Sequence, residues 1–210
     1  MVYPIGKLLR PLVTFPVKEV KGLENLPNNI SFVIASNHNS FIDALVIVVP
    51  VIGYLQKKRI YFISTMFFFF DFMLNLLFSE FGGSIKLKRN VRESFLKPAL
   101  KQLKKGNIIC IFPEGLPNKR SNIRRGKLGV AKLVLKGKVP VVPIGIKGTL
   151  YIWSRLKWLP RPKKKIIINI GKPIYFDKYY KQAGNRKILE KVTREIMKNI
   201  GKLCGKRYIY

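Results

Sequence analysis

The chain has 210 residues, of which 48% are hydrophobic, and its 41 Lys and Arg residues against 10 Asp and Glu give a formal net charge of +31. This hydrophobic content excludes a disordered basic tail, because disorder requires low hydrophobicity together with high charge. The length suits a single domain with a buried core. The charge requires an anionic partner, and it does not by itself distinguish nucleic acid, an anionic bilayer and acidic substrates.

Cysteine and histidine are too scarce to form a disulfide framework or a zinc site. Cys110 and Cys204 are the only cysteines, and His38 is the only histidine. We therefore expect a reducing compartment and no bound metal. We also expect that the protein uses no cofactor.

Apolar runs of strand length alternate with segments of helical period along the chain. Strands are predicted at residues 17–22, 30–36, 59–64, 84–88, 107–112, 139–146 and 165–170. Helices are predicted from residue 41 onward, where Pro50 should kink or end the helix, and at 65–80, 91–105, 127–135 and 185–203. The alternation predicts an α/β fold, namely one layered αβα domain around a largely parallel, mixed central sheet.

Two regions are candidates for contact with a membrane. Residues 1–16 are hydrophobic but carry Lys7 and Arg10, without the cleavage pattern of a signal peptide. The Phe-rich segment 65–80 is apolar around most of its helical circumference, and it is either a helix buried in the core or one seated at the lipid interface. Both regions are shorter than the roughly 20 residues that span a bilayer as a helix.

A polar cluster at residues 36–40 follows the second predicted strand and contains His38, and Asp43 lies five residues later. On a continuous helix that spacing would set the two side chains about 140° apart. They can pair only if His38 lies in the turn that leaves the strand and Asp43 in the first turn of the helix. A carboxylate on one imidazole nitrogen leaves the other nitrogen free to take a proton. The pair therefore predicts a general base for a substrate that brings its own hydroxyl.

A structural alternative accounts for the same residues. The sequence Ser-Phe-Ile-Asp at 40–43 matches a capping box. In that interpretation Asp43 only caps the helix and His38 is incidental. The residues by themselves leave both interpretations open.

The order of several motifs resembles the glycerolipid acyltransferase family, of which 1-acyl-sn-glycerol-3-phosphate acyltransferases are typical. Asn37, His38 and Asp43 match its NHxxxxD motif, and the FPEG motif stands intact at 112–115. Further family blocks are matched by GLENLP at 22–27, GSIKLKR at 83–89, VPVVPI at 139–144 and GKPI at 171–174. We accordingly divide the chain into a membrane-associating segment, 1–16, and an acyltransferase domain, 17–210.

The resemblance implies a role for each matched residue. His38 and Asp43 are expected to be catalytic. The residues expected to bind substrate are Arg89, Glu114, Gly115, Arg120 and Lys127. Val139 and Pro140 are expected to line the acyl pocket.

The chain departs from the family after the FPEG motif. Family members usually continue with Thr-Arg-Ser, and that arginine is thought to hold the acceptor phosphate. Here Leu116 and Pro117 follow, and Arg120 comes only later, beside Ser121. Arg120 is therefore expected to replace the family's arginine.

The resemblance implies transfer of a fatty acyl group from acyl-CoA or acyl carrier protein to the hydroxyl of lysophosphatidic acid, giving phosphatidic acid. A sibling activity on glycerol-3-phosphate or another lysolipid is an alternative, because the loop after Glu114 is altered. We expect a peripheral protein on the cytoplasmic face of a membrane, with anionic lipids as partners.

Two rivals belong to other classes. A nucleic-acid-binding protein would use the same basic charge, but the sequence has no RNP-like, zinc-finger or helix-turn-helix signature, and we expect no nucleic-acid partner. A non-catalytic membrane scaffold is the second rival, and the intact pair of His38 and Asp43 distinguishes the enzyme from it.

Overall fold

The computed structural model of the chain describes residues 17–40, 42–56, 58–64, 82–87, 93–152 and 165–210. The strands are β1 (Val17–Lys21), β2 (Val33–Ser36), β3 (Ile60–Ser64), β4 (Gly82–Lys86), β5 (Ile108–Ile111), β6 (Val141–Lys147) and β7 (Ile166–Ile170). The helices are α1 (Asp43–Leu55), α2 (Leu96–Lys104), α3 (Gly129–Gly137), α4 (Thr149–Ile152) and α5 (Arg186–Cys204). Short 3₁₀ helices lie at Leu23–Asn25 and Asp177–Gln182.

Seven strands form one mixed sheet in the order β1-β7-β6-β2-β5-β3-β4. The five strands from β6 to β4 run parallel to one another, β7 runs antiparallel to β6, and β1 is parallel to β7. β2 lies at the centre, between β6 and β5. In such sheets the segments that leave the carboxyl ends of parallel strands meet at one edge, where ligands usually bind.

The sheet is buried on both faces, which is why its central strands are continuous apolar runs. Alternate residues of β2 point to opposite faces: Val33 and Ala35 pack on the side of α2, α3 and α5, whereas Ile34 packs on the side of α1. All three side chains are fully buried. The helices thus form layers on the two faces of the sheet, and the predicted αβα architecture is confirmed.

Helix α5 follows directly from its sequence pattern. The apolar side chains that recur at helical spacing and pack in the core are Leu189, Val192, Ile196 and Ile200. Asn185 precedes the helix, and its side-chain oxygen accepts hydrogen bonds from two main-chain N–H groups of the first turn. Gly205 ends the helix with a φ of 68°, a left-handed conformation that glycine adopts without steric cost.

Helix α1 differs from the expectation. The sequence predicts that Pro50 kinks or ends the helix, and of these two outcomes the end is wrong, because the helix continues through Pro50 to Leu55. Proline removes one N–H donor from the helix. Buried apolar residues on both sides of it, Ile47 and Val51 among them, pack against the sheet and compensate for the missing hydrogen bond.

Two other predicted features cannot be compared. The segment 1–16 and the Phe-rich segment 65–80 lie outside the described residues. Within the part of the chain that the structure describes, no helix has the length and apolar character needed to cross a membrane. The short elements at 23–25, 149–152 and 177–182 were not predicted, because they are too short to show a periodic pattern.

Candidate active site

The segment that leaves β2 places His38 at the carboxyl edge of the sheet. The His38 ring stacks on the ring of Phe112 with a centroid distance of 4.3 Å and an interplanar angle of 19°. Phe112 directly follows β5, the parallel neighbour of β2. Two adjacent strands therefore hold the imidazole from its backbone and from one ring face.

His38 and Asp43 are paired. The Nδ1 atom of His38 lies 2.9 Å from Oδ2 of Asp43, whose side chain is fully buried, while the His38 side chain keeps 15% of its surface exposed. A carboxylate only accepts hydrogen bonds, so the geometry assigns the proton to Nδ1. The neutral ring then has an unprotonated Nε2, the state that a general base requires.

Asp43 also shapes the start of α1. Its Oδ2 atom accepts hydrogen bonds from the main-chain N–H groups of Asn39 at 2.6 Å and Ser40 at 2.8 Å, while its own N–H donates to the Ser40 carbonyl at 3.2 Å. The bond from the Ser40 N–H to the Asp43 side chain is one half of a capping box. The N–H of Asp43 bonds to the main-chain carbonyl of Ser40, and the helix has Ile42 rather than Ser40 as its N-cap. Asp43 therefore holds the turn before α1 and pairs with His38 at the same time, because one carboxylate oxygen serves both.

The asparagines on either side of His38 anchor the turn to β6. The side-chain amide of Asn37 donates to the Ile146 carbonyl at 2.9 Å, and its oxygen accepts the Ile146 N–H at 2.7 Å. The Asn39 amide donates to the same carbonyl at 3.2 Å. Asn37 thus continues the pairing of β2 with β6 by means of a side chain, beyond the point where the main-chain ladder ends.

Glu114 holds the histidine at its backbone. One carboxylate oxygen accepts the His38 N–H at 3.1 Å. The other accepts the Asn118 amide at 2.6 Å and the Arg124 N–H at 3.0 Å. The residue is 5% exposed, and both oxygens are engaged by protein donors, so its contacts are those of a positioning residue.

The loop that follows the FPEG motif is tied to the same turn. The Asn118 N–H donates to the His38 carbonyl at 2.6 Å, and the Asn118 side-chain oxygen accepts the Arg120 N–H at 3.0 Å. Arg120 itself is exposed. The main chain that carries its guanidinium is therefore fixed, and a single residue, Asn118, links it to His38 by hydrogen bonds.

Gly115 allows Lys127 to approach the FPEG turn. Gly115 has a φ of 79°, and a Cβ atom there would lie 2.5 Å from Nζ of Lys127. The Lys127 N–H donates to the Pro113 carbonyl at 2.9 Å. The Lys127 ammonium is therefore held beside the residue that follows Glu114, on the side of the turn that a larger residue would block.

The structure does not bring every predicted site residue together. Arg89 lies outside the described residues. Val139 packs in the core with α3, and the Pro140 carbonyl accepts the Val33 N–H at the start of β2. The five residue steps from Val33 to His38 correspond to about 16 Å along a strand. Val139 and Pro140 therefore lie at the opposite edge of the sheet from His38, and the geometry does not place them in an acyl pocket beside it.

The two thiols are separate from this site chemistry. Cys110 and Cys204 are both buried, and burial raises the pKa of each above that of a free thiol. A thiolate is the nucleophilic form of cysteine, so neither residue is suited to form an acyl-enzyme. Among the described residues, no group of three or more His, Cys, Asp and Glu side chains could hold a metal ion.

Sequence reasoning missed the residues that support the pair. Asn118 is fully buried, and nothing in its local sequence indicates this. Lys206, whose ammonium donates to the side chain of Asn39 at 2.9 Å, is one of 41 basic residues. The asparagines of the polar cluster at 36–40 were a signal that supporting residues exist. They directly follow a buried strand, where side-chain amides need hydrogen-bond partners.

These motifs and this geometry agree with the comparison to protein families. A family model described as Acyltransferase matches residues 17–147. The chain therefore belongs to the acyltransferase family.

Particular relatives carry more specific names. The chain is 30% identical over 188 residues to the chloroplastic 1-acyl-sn-glycerol-3-phosphate acyltransferase BAT2 of Brassica napus, covering 83% of this chain and 50% of that protein. It is 27% identical to the 1-acyl-sn-glycerol-3-phosphate acyltransferase of Bacillus subtilis, covering 75% and 73% respectively. The chain thus spans half the length of the Brassica relative.

A solved structure supports the fold. The crystal structure of PlsC, the 1-acyl-sn-glycerophosphate (LPA) acyltransferase from Thermotoga maritima, matches with a TM-score of 0.67 at 23% identity. The match covers 100% of this chain and 81% of that one. At this identity the likeness establishes the common α/β architecture.

Proposed function

We propose that this protein transfers a fatty acyl group from a thioester, acyl-CoA or acyl carrier protein, to the free hydroxyl of lysophosphatidic acid, giving phosphatidic acid. The observation that carries the proposal is the 2.9 Å contact between His38 Nδ1 and the buried Asp43 carboxylate, at the sheet edge where the FPEG turn also lies. The names of the relatives support lysophosphatidic acid as the acceptor.

His38 is the general base in the proposed mechanism. Its Nε2 takes the proton from the acceptor hydroxyl as the hydroxyl oxygen attacks the thioester carbonyl carbon. The tetrahedral intermediate collapses with cleavage of the C–S bond, and the imidazolium returns the proton to the leaving thiolate. The products are an ester and a free thiol. Asp43 stabilises the imidazolium between the two transfers, and base catalysis of this kind contributes typically about 10²–10⁴-fold.

The cations of the loops are proposed to bind the acceptor phosphate. Arg120 is exposed on a main chain that is bonded to Asn118, and Lys127 lies beside Gly115. Arg89 keeps its predicted role as a third cation. Binding the phosphate fixes the hydroxyl relative to His38, and such positioning can supply a large part of the rate enhancement.

Association with a membrane follows from the substrate and the charge. Lysophosphatidic acid is an anionic lipid, and a formal charge of +31 attracts the protein to an anionic leaflet at about 1 kcal/mol for each cation near the surface. We propose that residues 1–16 assist this contact, and that the protein works from the cytoplasmic face of the membrane. The proposed chemistry calls for no cofactor, because the thioester already carries an activated acyl group.

The direct test offers purified protein an acyl thioester together with each of several acceptors, and follows release of the thiol. Thiol release reports on acyl-CoA and on acyl carrier protein alike. We expect the highest kcat/KM with lysophosphatidic acid, and at least a hundredfold lower kcat for His38→Gln. Lys198→Met, on the exposed face of α5, serves as the control. Undiminished turnover by His38→Gln would contradict the assignment of the base.

A second candidate is a sibling acyltransferase that acts on glycerol-3-phosphate or on another lysolipid. The altered loop after Glu114, in which Leu116 and Pro117 replace the family's Thr-Arg, favours it. The same acceptor panel distinguishes the candidates. A higher kcat/KM for one of those acceptors than for lysophosphatidic acid would support the sibling activity.

A further inference from the structure

The segment that follows α5 lies against the loops of the candidate active site. After Gly205, the Lys206 N–H donates to the Gly201 carbonyl at 2.9 Å. One residue later, the Arg207 carbonyl accepts the Ile123 N–H at 3.0 Å. The main chain around Lys206 is therefore fixed on one side by α5 and on the other by the loop that follows the FPEG motif.

The Lys206 ammonium connects two segments of the site that are far apart in sequence, one at Asn39 and the other at Arg120. It donates to the side-chain oxygen of Asn39 at 2.9 Å and to the Arg120 carbonyl at 2.9 Å. The N–H of Asn39 in turn donates to the same Asp43 oxygen that pairs with His38. One cation thus connects the turn that carries the histidine with the main chain that carries Arg120.

An ammonium group is suited to this position because of its donors. Lysine offers three N–H donors and no acceptor, and both of its partners here are oxygen atoms. With the Arg120 N–H bonded to Asn118 and its carbonyl bonded to Lys206, both main-chain polar groups of Arg120 have partners. Only the side chain of Arg120 is left to reach a substrate.

We propose that Lys206 is a positioning residue for acyl transfer. It holds the loop that carries Arg120 at a fixed distance from the turn that carries His38. This inference rests on the proposed function, in which Arg120 binds the acceptor phosphate and His38 acts on the acceptor hydroxyl. Both groups of one acceptor molecule must be reached together. The distance between Arg120 and His38 therefore determines whether bound acceptor is aligned for reaction.

The position of Lys206 predicts an uneven effect on the kinetic constants. Without its ammonium, the Arg120 carbonyl loses its partner and the loop loses its connection to Asn39. His38 keeps its bonds to Asp43 and Glu114. The KM for the acceptor should therefore rise more than kcat falls, and the KM for the thioester donor should change little.

The test compares Lys206→Met with Lys198→Met, which removes the same charge from an exposed position of α5. We expect Lys206→Met to raise the acceptor KM about tenfold, the effect of losing one charge-assisted hydrogen bond, with kcat reduced by about threefold or less. Lys198→Met should keep the wild-type constants. Equal acceptor KM values for the two variants would overturn the proposal.

A second measurement is independent of activity. Hydrogen exchange of peptides covering residues 116–124 reports on the N–H groups of Arg120 and Arg124, both of which are hydrogen-bonded. We expect faster exchange there in Lys206→Met and wild-type exchange in Lys198→Met. Unchanged exchange in Lys206→Met would contradict the proposed role of Lys206 in holding this loop. A wild-type protein that transfers no acyl group would overturn the proposed function. The exchange comparison would still show whether Lys206 holds the loop that carries Arg120.

A second variant moves Lys206 without removing its ammonium. A Cβ atom at Gly201 would lie 2.7 Å from the Lys206 carbonyl oxygen, so Gly201→Ala must displace the main chain of Lys206. We expect this variant also to raise the acceptor KM and to accelerate exchange in 116–124. Wild-type behaviour in both measurements would contradict the proposed role of Lys206.

Discussion

The main-chain N–H of His38 donates to the side chain of Glu114 at 3.1 Å, so the histidine is held at its backbone as well as at its ring. The motif comparison led us to expect that Glu114 binds substrate. In the structure its two oxygens accept three hydrogen bonds from the protein itself. The negative charge of Glu114 is thus balanced by donors of the protein itself.

The first prediction concerns Glu114→Gln. Each carboxylate oxygen faces at least one N–H donor, so the new amide nitrogen must face a donor in either orientation. We expect a loss of about 1–3 kcal/mol in the free energy of unfolding, the cost of an unsatisfied buried group, together with a reduced kcat. Denaturant unfolding and turnover measure the two effects. Glu195→Gln, on the exposed face of α5, should change neither, and an unaltered kcat in Glu114→Gln would contradict the positioning role.

The second prediction concerns Asp43→Asn. The three donors converge on Oδ2, whereas Oδ1 is buried and has no hydrogen-bond partner among the described residues. An asparagine oxygen can replace Oδ2, but the amide nitrogen then occupies the buried position, and the imidazolium loses its counter-charge. We expect kcat to fall by about 10²–10⁴-fold.

The control for this variant is Asp177→Asn, an exposed aspartate on the 3₁₀ helix at Asp177–Gln182. It makes the same chemical change outside the site and should keep wild-type turnover. If Asp43→Asn retained more than a tenth of the wild-type kcat, Asp43 would be a capping residue only.

The third prediction uses two glycines with the same backbone conformation. Gly115 and Gly106 have φ values of 79° and 81°, but a Cβ atom at Gly115 would meet Lys127, whereas one at Gly106 would meet no atom within 4 Å. Alanine at either position should cost about 1 kcal/mol of stability through the left-handed backbone. Only Gly115→Ala should also raise the acceptor KM, because it displaces the Lys127 ammonium. Equal kinetic effects of the two variants would exclude a specific role of the Lys127 position.

The fourth prediction concerns thiol reactivity. Burial is the largest influence on the pKa of both Cys110 and Cys204, and the pKa of each is raised. Little thiolate therefore forms in the folded protein. We expect iodoacetamide at pH 8 to leave native protein unlabelled and fully active, and to label both cysteines after unfolding in guanidinium. Rapid labelling of the native protein with loss of turnover would favour a cysteine in the mechanism.

The same pKa shift makes stability depend on pH. The folded state holds the Cys110 proton more tightly than the unfolded chain, whose thiol pKa is about 8.5. This contribution to stability is therefore complete below about pH 8.5 and declines as the pH rises towards the folded-state pKa. The urea midpoint should fall between pH 8 and pH 10, and it should fall less steeply in Cys110→Ala. Parallel curves for the two proteins would contradict this linkage.

Strand and helix types could be predicted because the local pattern and the tertiary environment agree. The apolar runs that became β2, β5 and β6 are buried on both faces, and the apolar stripe of α5 packs in the core. Of the two effects predicted for Pro50, an end to the helix was wrong for the opposite reason. Its local preference is to interrupt a helix, whereas the packing of α1 against the sheet keeps the helix continuous.

The site could be predicted only in part. The spacing of His38 and Asp43 showed that they can pair only with one residue in the turn and the other in the helix, and the structure has this arrangement. The family resemblance, not the spacing, was what favoured the pair over a helix cap. The partners of Glu114 could not be predicted, because they are main-chain groups and an asparagine of a loop without periodicity. The positions of Val139 and Pro140 required the strand direction and register, which a motif does not contain.

The amide of Asn37 pairs with Ile146, and Asn39 receives the ammonium of Lys206. A histidine and an aspartate only five positions apart therefore depend on residues that the ribosome adds more than 100 and more than 160 positions later. Contacts of such long range form late and slowly. During synthesis, the pair acquires its full surroundings only after α5 has emerged and docked, so we expect the proposed acyl transfer to begin only once α5 is in place.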